Sequence, residues 1–107
     1  MITARFAVDK HKRLVGFHIT GHSMTAPHGS DILCAFVSSA AYMAANTVTE
    51  IIGADATAED ADGMMKLRLQ SEDCIDRCQD ILQGLRLHLE ATQEQYPKNL
   101  KVITMEV

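Results

Sequence analysis

Residues Ile2 to Val8 alternate, with Ile2, Ala4, Phe6 and Val8 on one side and Thr3, Arg5 and Ala7 on the other, which predicts a half-buried strand. Asp9-Lys10-His11-Lys12-Arg13 reads as a polar turn. Leu14 to Thr20 then alternates again, Val15, Phe17 and Ile19 inward and Gly16, His18 and Thr20 outward, so the two runs predict an antiparallel hairpin. Gly21 to Ser30 lacks periodicity and holds two glycines and a proline, the mark of a loop. Ser30 offers an N-cap and Asp31 a first-turn acid for a helix running to about Ile52, with Gly53 as its stop. On a helical wheel Leu33, Phe36, Val37, Ala40, Ala41, Met43, Ala44, Val48 and Ile51 form the apolar face. Asp31, Ser38, Ser39, Tyr42, Asn46, Thr49 and Glu50 form the polar one, with Ile32 and Ala35 as exceptions.

Ala54 to Asp60 reads as a short strand, Asp62-Gly63 as a turn and Met64 to Gln70 as a strand with Met65, Leu67 and Leu69 inward, a second hairpin. Ser71, followed by Glu72 and Asp73, opens a second helix to about Tyr96. Its stripe is Cys74, Cys78, Ile81, Leu82, Leu85, Leu89 and Tyr96. Pro97 and Asn99 end it, and Leu100 to Val107 is a last strand. The order β-β-α-β-β-α-β predicts an α+β fold: a two-layer sandwich whose two helices cover one face of a mostly antiparallel sheet.

Length and composition narrow this picture. A chain of 107 residues fits one domain over 1–107, and 47% hydrophobic with 22% charged residues is an ordinary globular balance. By this reading no apolar run approaches the roughly 20 residues of a membrane span, and Met1 leads into a strand pattern rather than a signal peptide. Three cysteines without a framework spacing favour a reducing compartment, so a soluble cytoplasmic protein is expected. The net charge of -4, with no basic cluster along the chain, predicts no direct nucleic-acid contact.

Candidate chemistry gathers between the first hairpin and the first helix. Cys34 falls in the first turn of that helix, where unpaired N–H groups and the dipole favour a thiolate, and at the edge of the polar face near Ser38 and Tyr42. His22 leaves the second strand close to the helix start, placed to take the thiol proton. The alternatives are a small buried hydrophobe and a surface histidine. The spacing His22-x5-His28-x5-Cys34 also permits part of a zinc site, although no fourth ligand is evident. Cys74 and Cys78 lie one helical turn apart on the apolar stripe and read as core, while His11 and His88 sit in polar surroundings.

Gly21-His22, a variable loop, and then Gly29-x-Asp31-Ile32-Leu33-Cys34-Ala35-x-Val37-Ser38 resembles the signature of the bacterial ribosomal-processing cysteine protease family, Prp. The resemblance extends over nearly the whole chain. It implies a cysteine endopeptidase without a cofactor or metal, with Cys34 as nucleophile and His22 as general base and proton donor. It also implies supporting places for Asp31 and Ser38, and a substrate loop containing Gly21, Ser23, Met24, Pro27, His28 and Gly29. The implied partner is the precursor of a large-subunit ribosomal protein, the one numbered 27, whose N-terminal extension is removed by a cut after an aromatic residue. A homodimer away from membranes is implied as well. The chain departs from the commoner pattern at Ser23, where Ala usually follows Gly-His, and its loop Met24-Thr25-Ala26-Pro27-His28 is its own. The alternative in another class is a non-catalytic peptide-binding or ribosome-associated regulatory module of the same fold.

Overall fold

The computed structural model describes residues 1–22 and 31–107. Strands β1 (Ile2–Val8) and β2 (Leu14–Thr20) form where the alternation places them. Ile2, Ala4, Phe6 and Val8 are all buried, and the rings of Phe6 and Phe17, opposite each other in the antiparallel register, lie 6.2 Å apart. β2 is flanked on both sides by strands, so Leu14 and Gly16 are buried along with Val15, Phe17 and Ile19.

Strands β3 (Ala56–Ala61) and β4 (Met64–Leu69) make the second hairpin, and β5 (Leu100–Glu106) closes the chain. The sheet order is β3-β4-β2-β1-β5, antiparallel except for the β1–β5 pair. Helices α1 (Ile32–Asn46) and α2 (Gln79–Gln95) complete the expected α+β sandwich. Their buried residues Val37, Ala41, Leu82 and Leu89 join Phe6, Phe17 and Leu67 in one core cluster. On the opposite face Arg5, His18 and Lys66 align across three strands, with Arg68 and Lys101 nearby in the register, a basic row that linear spacing does not reveal.

Several expectations need correction. The first helix does run to Ile52, but Thr47–Ile52 is wound as a π-helix before Gly53 ends it in a left-handed conformation. Ile32–Ile52 is thus a 21-residue helix with a mean hydropathy of 1.4, long and apolar enough to cross a membrane, contrary to the reading of apolar runs. Leu33, Val37, Ala41, Ala44 and Val48 are nonetheless committed to the protein core, while Ile32, Phe36, Met43 and Ile51 are exposed.

The second helix does not begin at Ser71. Ser71 instead caps a 3-10 turn at Glu72–Cys74, accepting from the Asp73 N–H, and a second 3-10 turn follows at Asp76–Cys78. Side chains three apart eclipse in this tighter coil, which directs Ile75 and Cys78 together into the core and leaves Cys74 only partly covered. Phe36, Met43 and Ile51, assigned to the inward face, are exposed. Phe36 stacks on His88 of α2 with ring centroids 5.0 Å apart, so His88 does not sit in merely polar surroundings. Tyr96 is exposed too, because it is the residue at which the chain leaves α2.

Candidate active site

At the end of β2 the chain turns through Gly21, whose φ of +95° excludes most side chains; an added Cβ would also meet the Met1 carbonyl oxygen at 2.2 Å. His22 follows it off the sheet. Across from it, α1 starts on Asp31, which has the extended backbone of an N-cap and accepts the Cys34 N–H on its carboxylate at 3.0 Å. Its backbone carbonyl accepts the Ala35 N–H at 3.1 Å. Asp31 is therefore the cap itself and not a first-turn acid behind Ser30, which lies outside the described residues.

These two starts bring the predicted pair together. The Cys34 Sγ lies 3.7 Å from the His22 Nδ1, a hydrogen-bonding distance for sulfur. Both line a cleft of about 330 Å³ with Ser38 and Tyr42 from α1 and Asp60 and Gly63 from the second hairpin. Cys34, Ser38 and Tyr42 are spaced four apart and so form one stripe along the helix. The Tyr42 hydroxyl donates to the Asp60 carboxylate, and this bond, with some desolvation, raises the phenol above its ordinary pKa. The bond joins α1 to the hairpin across the cleft.

The remaining candidates separate clearly. Ser23, Met24, Pro27, His28 and Gly29 lie outside the described residues, and with His28 goes the third ligand of the zinc reading. Among the described residues no group of three or more His, Cys, Asp or Glu side chains is arranged to hold a metal. Cys78 is fully buried and its thiol is pushed up by that burial, in keeping with a core role. Cys74 packs partly against the same core. Tyr42, Asp60 and Gly63 escaped the sequence reading of the site. Tyr42 carried a signal in its helical spacing from Cys34. The hairpin residues carried none, because the β2–β4 pairing brings them there.

A thiol, an imidazole and a helix start around an open cleft are the parts of an acyl-transfer site. Residues 1–101 match the family model described as Cysteine protease Prp. The chain belongs to that family. Membership makes it a cysteine protease. The ribosomal processing cysteine protease Prp of Bacillus subtilis (strain 168) is 27% identical over 109 residues, covering 97% of each chain. The fold matches an essential ribosomal processing protease Prp from S. aureus crystallised with a covalently linked product peptide: TM-score 0.88, 23% identity, 98% of this chain and 100% of that one. The same S. aureus protease with a substrate peptide gives a TM-score of 0.83 at 22% identity, with the same coverage.

Proposed function

We propose that this Prp-family chain is a ribosomal-processing endopeptidase that removes the N-terminal extension of the large-subunit ribosomal protein numbered 27, cutting after an aromatic residue. The observation that carries the reading is the 3.7 Å approach of the Cys34 sulfur to the His22 Nδ1 at the head of a helix. His22 Nδ1 takes the thiol proton, and the thiolate attacks the scissile carbonyl. The thiolate gains from the helix dipole and from the imidazolium beside it. The Cys34 N–H is already given to Asp31, so the donors for the oxyanion fall to the neighbouring first-turn N–H groups of Ile32 and Leu33. The imidazolium then protonates the leaving amine, and water hydrolyses the thioester. Ser38, one turn along from Cys34, lines the wall of the peptide cleft.

A ribosomal precursor as substrate places the enzyme in the cytoplasm. Ile32, Phe36 and Met43 leave an exposed apolar patch on α1, which favours a homodimer; light scattering should give twice the chain mass, and a monomer at all concentrations would dismiss the pairing.

The test is mass spectrometry of the ribosomal precursor after incubation with the enzyme. The wild-type chain should release one peptide ending in an aromatic residue, and Cys34→Ala should release none. Cleavage by Cys34→Ala at the wild-type rate would remove Cys34 as nucleophile, and an intact precursor with the wild-type chain would remove the substrate.

A further inference from the structure

With the Nδ1 of His22 turned to the Cys34 sulfur, Nε2 is the ring nitrogen left for the rest of the protein. It meets the turn between β3 and β4. A Cβ built on Gly63 would lie 3.0 Å from Nε2, and 3.6 and 3.7 Å from the ring carbons Cε1 and Cδ2 that flank it. The near-equal flanking distances centre the contact on Nε2, and their shortness puts it over one face of the ring rather than in its plane. The backbone of Gly63 grips the same place from another side, because its carbonyl accepts the N–H of Gly21 at 2.9 Å. Gly21 is the residue immediately before His22, so one turn fixes the departure of the chain from β2 and also backs the imidazole that follows.

Gly63 has a φ of +71°, which would account for glycine at a hairpin turn without any role in catalysis. The contact with His22 is a separate constraint. Asn accepts the left-handed conformation nearly as well as any residue that has a side chain. Asn would nevertheless place a Cβ tighter against Nε2 than such atoms normally come. The ring would have to give by a few tenths of an ångström, which alters the approach of Nδ1 to the sulfur.

We propose that Gly63 is a positioning residue for His22: its missing side chain sets how closely the imidazole approaches Cys34. This inference rests on the Cys34–His22 reading above. Proton transfer needs hydrogen-bond reach; a displacement of about 1 Å can cost about a hundredfold in rate, so the few tenths of an ångström demanded here should cost several-fold. The effect belongs to the chemical step, not to the binding of the peptide.

The structure also supplies a matched control. Gly53 has nearly the same φ, +72°, but an added Cβ there meets nothing within 4 Å. Gly63→Asn and Gly53→Asn therefore impose a similar demand for positive φ, and only the first crowds the histidine. Each variant is to be measured for thermal melting, for kcat and KM on a peptide carrying the ribosomal N-terminus, and for the pH profile of Cys34 alkylation by iodoacetamide. Gly53→Asn should match the wild type in kinetics and alkylation and lose only as much melting temperature as the left-handed backbone costs Asn. Gly63→Asn should remain folded, lose several-fold in kcat with KM unchanged, and alkylate at Cys34 at a higher pH than the wild type. Wild-type kcat and an unshifted alkylation profile in Gly63→Asn would overturn the proposal. A Gly63→Asn chain that fails to fold beside a folded Gly53→Asn would overturn it too, because the position would then be structural. Alkylation needs no substrate, so an error in the proposed ribosomal target leaves this readout intact.

Discussion

At Asp31 one carboxylate ends a segment, starts a helix and fixes the nucleophile, because the N–H it accepts is that of Cys34 itself. Losing the side chain frees that N–H at the site as well as uncapping α1. Asp31→Ala should lower stability by about 1 kcal/mol, the ordinary value of an N-cap, whereas Asp31→Asn keeps a cap oxygen and should stay close to the wild type. Urea unfolding of the two variants checks this, and equal losses in both would mean that the negative charge, not the cap, is what the fold uses. The position was plain in the sequence, but its role was not. Ser30 and Asp31 are both good caps, and only the backbone conformation decides between neighbours.

Among the elements, the junction of β2 with α2 depends on a single side chain. The Gln79 amide donates to the Leu14 carbonyl and accepts from the Leu14 N–H, both at 2.8 Å, and so serves the first residue of β2 as a neighbouring strand would. Leu14 is fully buried, and replacing Gln79 by Ala leaves two backbone groups without their partner. Gln79→Ala should cost about 2 kcal/mol, within the range for desolvated groups left unpaired, with the urea midpoint as the measurement. Gln79→Glu retains an acceptor but no donor and should fall between. Such a contact cannot be read from periodicity, which describes one element at a time. The limits of β1 and β2 were legible because alternation is local, whereas β3, expected at Ala54 to Asp60 without alternation, lies at Ala56–Ala61. The 3-10 turns before α2 and the outward placement of Phe36 were not, because each answers to a neighbour, Ile75 and Cys78 to the core and Phe36 to His88.

Across the whole molecule the same distinction separates the nucleophile and base from their surroundings. Gly21-His22 and the Asp31–Cys34 helix start are legible because each is a short motif at the end of an element. The cleft wall of Asp60 and Gly63 depends on β2 pairing with β4, and the interior place of β1 on a parallel partner at the far end of the chain. A second long-range tie is electrostatic. Arg13 pairs with Asp9 in its own hairpin and reaches Glu72 and Asp76 before α2, at 2.9 and 3.2 Å. Its guanidinium is held charged first by the bond to Asp76 and, despite some burial, by Asp9 and Glu72. Desolvation pushes the Asp9 carboxyl up, but the backbone N–H groups of Arg13 and His11 and the Arg13 side chain outweigh it and hold its pKa below the ordinary 3.8. A carboxyl with a lower pKa in the folded state contributes stability above its unfolded pKa and loses it as the pH falls through the folded one. Melting temperature should therefore drop below about pH 3.8 more steeply in the wild type than in Asp9→Asn. The Asn side chain still accepts the two turn N–H groups, so the variant removes the charge and its side-chain bond to Arg13 while the turn is kept. The two curves should converge at the lowest pH, where Asp9 is protonated in both states and its charge contributes nothing. Parallel curves throughout would place the acid sensitivity of the fold in carboxylates other than Asp9.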